Sequence, residues 1–252
     1  MKVLAVVNNK GGVGKTTSAQ NIGAGLAKFA SAKVLLIDLD PQANLTRSFG
    51  IVHENLKNIS SSFILGESSF ADSVQNVGSI DILPSSTILT TKEDAIKAAP
   101  TFPFNLKLAL EKQKPKYDYV IIDCPPAMSA LTRIALAACS HYYVPLQAEF
   151  LSYEGLRNFL TFTNDLKQIC PDIKLGGVFA TRYNPKIKKK ISVDIITNAQ
   201  EQLGGDFMKT YIRDNVSVSE AQAMGKDIFD YAPQSKGAID YYNLVKEILQ
   251  KT

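Results

Sequence analysis

"VLAVVNNKGGVGKTT", Val3 to Thr17, decides how the rest of the chain is read. Val3 to Val7 is a short apolar run of strand character, ended by polar residues. Glycines and a Lys-Thr-Thr triplet follow. From Thr16 to about Ala30 apolar residues recur at helical spacing, with Ala19, Ile22, Leu26 and Ala30 on one side. A glycine loop between a strand and a helix is the setting in which such a loop holds phosphate. Glycines let successive backbone N–H groups curl around phosphate oxygens, and the positive end of the following helix adds to the attraction. Gly11, Gly12, Val13, Gly14, Lys15, Thr16 and Thr17 are therefore the candidate nucleotide loop. Lys15 is expected to bridge the β- and γ-phosphates, Thr16 to place its hydroxyl on Mg²⁺, and Thr17 to sit by the α-phosphate. One lysine covers the phosphates from within the loop, yet a second, Lys10, stands just ahead of the glycines.

The chain has 252 residues, 45% of them hydrophobic, which is enough for one sizeable core, so a single domain over 1–252 is expected. The longest apolar runs fall far short of a membrane span, and the N-terminus has no cleavage site of a signal peptide. Cys124, Cys139 and Cys170 are scattered, odd in number and without metal-ligand spacing, so they are expected as buried thiols in a reducing cytosol. The net charge of +4 says little by itself. Its distribution says more, because "PKIKKK" puts Lys186, Lys188, Lys189 and Lys190 within five residues.

Apolar runs recur at Val34 to Ile37, Ile80 to Leu83, Val120 to Ile122, Tyr142 to Leu146 and Gly177 to Ala180, with helical stretches between them. Short continuous runs of this kind are strands buried on both faces of a parallel sheet. The alternation predicts an α/β fold, a doubly wound, mostly parallel sheet flanked by helices, with ligands beyond the carboxyl ends of the strands. Residues 52 to 75 are expected as loop and short helix, a flexible insertion. Pro100 and Pro103 break the chain before a helix of roughly Asn105 to Lys114. The final stretch reads as a helix whose core face is Ile239, Leu244, Val245, Ile248 and Leu249.

Two further motifs end strands. "VLLIDLDPQANLT" carries Asp38 and Asp40, which are not both expected in the core. "YDYVIIDCPP" places Asp123 after buried strand residues, where a carboxylate must be paired or metal-linked.

The octamer "KGGVGKTT" at Lys10 to Thr17 resembles the signature of the ParA/MinD family of deviant Walker A ATPases, P-loop NTPases of the SIMIBI type. The DxDPQxN segment at Asp38 looks like that family's switch I, and "DCPP" at Asp123 like its Walker B strand and switch II. "RDNVSVSEAQAMGKDIFDYAPQSKGA" is similar to its C-terminal block, matching at Asn215, Ser219, Glu220, Ala221, Gly225 and Lys226. The resemblance spans nearly the whole chain and is nearest to the ParA/Soj type. It implies an ATP hydrolase, weak alone and stimulated by a partner, with ATP and Mg²⁺ as cofactors. Lys10 would reach the nucleotide of a second subunit in an ATP sandwich homodimer. Asp40 would orient or activate the attacking water. Asp38 would sit near the phosphate loop and the magnesium shell with Thr16, and Asp123 would hold magnesium through water. Arg182 or Asn184 would meet the adenine, with the segment from Pro233 closing over it.

The same resemblance implies nonspecific DNA binding, a ParB-like centromere-binding partner, plasmid or chromosome cargo, and a cytoplasmic, nucleoid-associated protein. Where the family often carries an arginine for DNA, this chain has Ser217. Lys186, Lys188, Lys189, Lys190 and Arg213 are the candidate DNA contacts. Little chain precedes the octamer, so no helix-turn-helix is expected there. The alternative is a MinD-like division regulator at the membrane. It is disfavoured because the last turns carry only Lys246 and Lys251 and no bulky aromatic. A redox carrier would need paired cysteines, and a metabolic kinase would leave Lys10 idle.

Overall fold

The computed structural model describes residues 1–52, 56–113, 116–187 and 190–252. Its strands are β1 (Lys2–Val6), β2 (Val34–Asp38), β3 (Gln75–Val77), β4 (Ile80–Leu83), β5 (Tyr119–Asp123), β6 (His141–Gln147) and β7 (Lys174–Thr181). They form one sheet in the order β3-β4-β2-β5-β1-β6-β7. All neighbours run parallel except β3, which pairs antiparallel with β4 at the edge. The five strands expected after β1 are all present. The hairpin strand β3 was not legible because Gln75–Val77 is a three-residue polar stretch on an edge.

Alternation along β1 divides the core. Val3, Ala5 and Val7 join Leu35, Ile37, Val120 and Ile122 on one face. Leu4 and Val6 join Leu36, Ile121, Tyr143 and Phe179 on the other, since successive side chains of a strand point to opposite faces. On the second face lie α1 (Lys15–Phe29), the short α2 (Asn44–Arg47) and the last helix α12 (Lys236–Lys251), with α10 (Val216–Ala223) and α11 (Ile228–Tyr231) beside them. α1 comes very close to its neighbours: a Cβ on Gly25 would stand 2.7 Å from Val245. The first face is covered by α5 (Ile88–Ala98), α6 (Asn105–Glu111), α7 (Ala130–Ala138), α8 (Phe150–Leu166) and α9 (Lys190–Leu203).

Two expectations need correction. Residues 52 to 75 are not simply a flexible insertion. They carry α3 (Ser60–Ile64) and α4 (Phe70–Ser73), and Phe63, Ile64 and Phe70 sit in the core. The core face of α12 is Ala238, Tyr241, Leu244, Val245 and Ile248, whereas Ile239 is 48% and Leu249 37% exposed. Steps of three and four from Ala238 keep one stripe facing α1, and Ile239 and Leu249 stand about a quarter-turn off it. The helix of roughly Asn105 to Lys114 ends at Glu111, and Lys114 lies outside the described residues. All three cysteines are free and buried. No helix among the described residues is long and apolar enough to cross a membrane.

Candidate functional site

Register builds the site. β1 lies beside β5 with Val6 opposite Asp123, and β5 lies beside β2 with Asp123 opposite Asp38. The loop that leaves β1 therefore starts next to both carboxylates. On the far side Thr181, at the end of β7, donates its hydroxyl to Val13 O at 2.9 Å and ties the loop down. Gly12 and Gly14 take positive φ of 74° and 90°, a conformation that costs other residues energy. A Cβ at Gly11 or Gly12 would meet nothing within 4 Å, so the backbone there borders open space. α1 begins at Lys15 with its free N–H groups aimed into that space.

The space is a cleft of about 770 Å³. Gly11 through Thr17, Asp40, Pro126, Thr181 and Arg182 line it, and so do residues from the far end of the chain, among them Arg213, Asp214, Asn215, Gln222 and Tyr241. Arg182 has a φ of 50°, which turns the chain as β7 ends. Asn184 and Arg182 also border an adjoining cleft of about 300 Å³. Pro233 does not line the main cleft.

The buried floor is strongly charged. Lys15 is 7% exposed and its ammonium donates to Lys10 O at 2.8 Å. Burial lowers its pKa, and the nearby Asp123 and Asp40 carboxylates oppose that. Asp38 and Asp40 are both buried, at 0% and 6%, against expectation. β2 ends at Asp38, and in the turn that follows backbone and hydroxyl donors meet both carboxylates. Asp38 accepts from Asp40 N at 3.0 Å, Thr46 N at 2.9 Å and Thr46 Oγ1 at 2.7 Å, while Asp40 accepts from Gln42 N at 2.9 Å. Burial lifts the Asp38 pKa to about 6 despite the Thr46 bonds.

Asp123 differs. It is fully buried, and neither carboxylate oxygen completes a hydrogen bond. Burial and the Asp38 carboxylate push its pKa well above the ordinary range, while the Thr16 hydroxyl and Lys15 beside it pull the other way. A native protein rarely strands a buried carboxylate without a ligand to meet it. An aqua-magnesium ion fits this orphaned group next to the Thr16 hydroxyl, because a hard divalent cation takes carboxylate, hydroxyl and water oxygens.

Lys10 is not among the residues lining the cleft. Its N–H is fixed by Asn8 Oδ1 at 3.0 Å, and its ammonium pairs with Glu149 Oε2 at 2.7 Å. The two loop lysines thus serve different directions. Of the candidate DNA residues, Lys186 in the turn before α9 and Lys190 at its first position are exposed, and Lys188 and Lys189 lie outside the described residues. Arg213 is committed elsewhere: its guanidinium grips the buried Asp240 with contacts of 2.6 and 2.9 Å.

The cleft residues that the sequence did not disclose come mainly from 213–222 and from Tyr241. Asn215 and Ser219 belong to the quoted C-terminal block, so that block was the available signal. Gln222, which meets the Thr17 hydroxyl at 3.1 Å, and Tyr241, which contacts Ser18 at 3.3 Å, carry no local mark.

The family model described as AAA domain matches residues 1–175. The sporulation initiation inhibitor protein Soj of Bacillus subtilis is 35% identical over 252 residues, covering 98% of each chain. The chromosome partitioning protein ParA of Myxococcus xanthus is 34% identical, covering 99% of this chain and 88% of that one. Among solved structures, cobyrinic acid a,c-diamide synthase from Mycobacterium smegmatis with bound ATP analogue and magnesium superposes with a TM-score of 0.82. It is 32% identical, covering 99% of this chain and 95% of that one.

Proposed function

Because this chain belongs to the ParA/MinD family of P-loop ATPases, in its ParA/Soj branch, and works with ATP and Mg²⁺, we propose that it is a partitioning ATPase whose ATP-bound form is a sandwich homodimer. The observation that carries this reading is the division of labour between the lysines. Lys15 is buried in its own cleft, whereas the Lys10 ammonium is held outside it against Glu149. A cation in that position can serve the triphosphate of a second subunit.

Within one subunit, the N–H groups of Gly11 to Thr17 wrap the β-phosphate and Lys15 spans the β- and γ-phosphates. Thr16, with Asp123 through water, would hold Mg²⁺, which would supply positive charge beside the phosphates. Asp38 keeps the turn in shape through Thr46. Asp40 orients the water that attacks the γ-phosphoryl group and is the acceptor for its proton, giving ADP and phosphate. Preorganised positive charge stabilises the spread charge of the transition state, so an ammonium supplied across the interface couples assembly to turnover.

The dimer would coat DNA through phosphate neutralisation, without reading sequence, using the lysine run at Lys186 to Lys190. A ParB-like partner bound at a centromere would stimulate hydrolysis and release it, placing the protein at the nucleoid in the cytoplasm. The test is sedimentation of wild type, Lys10→Ala and Lys15→Ala with ATP, ADP and no nucleotide, followed by DNA binding at two salt concentrations. Lys15→Ala is expected to lose nucleotide, and Lys10→Ala to keep nucleotide and stay monomeric. ATP-dependent dimers of Lys10→Ala at wild-type affinity would refute the cross-subunit role.

A further inference from the structure

Lys10 is held by a built arrangement rather than by a chance surface contact. Asn8 Nδ2 donates to Pro145 O at 2.8 Å, anchoring the segment ahead of the glycines to β6. The Asn9 side chain packs so closely on α8 that a Cβ at Gly155 would stand 3.0 Å from Asn9 Oδ1. Lys10 N is fixed on Asn8 Oδ1. The residue that receives the Lys10 ammonium is set from both sides too. Glu149 N donates to Gln147 O at 2.7 Å, and the preceding Ala148 O accepts from Ser192 Oγ at 3.2 Å. Lys10 and Glu149 lie 139 residues apart in sequence and meet at 2.7 Å. Glu149 stands at the N-cap of α8, yet its side chain caps no N–H there.

We propose that Glu149 is a positioning residue that latches Lys10 to its own subunit, so that each ATP-driven dimerisation must first break two Lys10–Glu149 pairs. This rests on the cross-subunit reading of Lys10. The latch sets a threshold: it keeps an ammonium off the edge of the cleft until a loaded partner offers a triphosphate, which outcompetes one carboxylate. The pair is partly exposed, with side chains 29% and 53% accessible, so it is weak enough to open. An exposed ion pair is worth a factor of about 1.4 to 5.4 in an equilibrium, so two of them hold the dimer back by about 2- to 30-fold.

The experiment measures the dissociation constant of the dimer with Mg²⁺ and a nonhydrolysable ATP analogue, for wild type, E149Q, E149D, K10A and the K10A/E149Q double variant. Binding of the same analogue to dilute monomer serves as a folding control. E149Q should tighten the dimer by about 2- to 30-fold with monomer binding unchanged, and E149D should fall between it and wild type. The tightening should vanish in the K10A background. If K10A loses the dimer but E149Q leaves it unchanged or weaker, the latch is overturned while the Lys10 role stands. Tightening by E149Q that persists without Lys10 also overturns the latch. A K10A variant that dimerises like wild type instead removes the cross-subunit reading itself.

Discussion

Asp123→Asn offers a test in which stability and function move in opposite directions. Among the described residues, the buried floor of the cleft sets three carboxylates, Asp38, Asp40 and Asp123, against one ammonium, Lys15. Asp123 is fully buried with neither oxygen in a well-formed hydrogen bond, and the Thr16 hydroxyl and the Lys15 ammonium stand near it. Leaving a buried polar group unsatisfied costs about 1–3 kcal/mol, and more when it is charged. Asparagine removes one of the three negative charges and leaves Lys15 beside Asp40. The nucleotide-free variant should therefore be more stable than wild type by about 1–3 kcal/mol at pH 8. For a chain of this size that is about 2–12 °C in melting temperature.

The sign with pH follows from the raised carboxyl pKa. The folded state binds more protons than the unfolded state above the ordinary carboxylate range, so stability falls as pH rises through that window. Burial and the Asp38 carboxylate push the Asp123 carboxyl well above its ordinary range, so the advantage of the variant should shrink as pH falls. Mg²⁺ and ATP reverse the order. Wild type gains about 2.7 kcal/mol at a hundredfold excess over the dissociation constant, and the variant loses most of that. Thermal unfolding of both proteins at pH 5 and pH 8, with and without Mg²⁺–ATP, reads all four cases. A variant that melts below wild type in nucleotide-free buffer at pH 8, or a gap that persists unchanged at pH 5, would refute the reasoning.

Asp40→Ala should bind ATP but hydrolyse it far more slowly, so that dimers accumulate in sedimentation; turnover at the wild-type rate would remove Asp40 from the chemistry. Nucleotide-free stability should decline between about pH 4 and 6, because burial raises the folded pKa of Asp38 to about 6, and denaturant melts across that range read it. Arg213→Ala should cost about 1–3 kcal/mol of stability, since it strips the buried Asp240 of its guanidinium, and a denaturant midpoint at wild-type value would contradict that. If the four lysines at 186, 188, 189 and 190 neutralise DNA phosphates, log K against log[salt] should fall with a slope of about −3 to −4, and a flat response would remove them as contacts.

The strands and the phosphate loop were readable because their signals are local. A run such as Val34 to Ile37 must be buried on both faces, and Gly-Lys-Thr-Thr after a strand admits few other uses. The same local logic failed at α12. Its apolar residues cover more than one face, and only the packing of α1 selects Tyr241 and Ile248 over Ile239. At 60–73 the expected short helices are present, but the segment is no flexible insertion, because Phe63, Ile64 and Phe70 are buried in the core. Arg213 was expected as a DNA contact from the C-terminal block, and its pairing with Asp240 depends on where the segment ahead of α10 meets α12.

The sequence alone determined that this chain is a parallel α/β ATPase with a phosphate loop carrying two lysines. Backbone period and glycine chemistry act over a few residues, so they are written where they operate. Tertiary structure decided which way each lysine faces, that Asp123 is stranded while Asp38 is satisfied, and that residues 213–222 and Tyr241 complete the cleft. Those outcomes depend on the register of β1, β5 and β2 and on contacts spanning well over a hundred residues, such as Lys10 to Glu149. Long-range pairing is set by the mutual packing of finished elements, and no short stretch of chain encodes it.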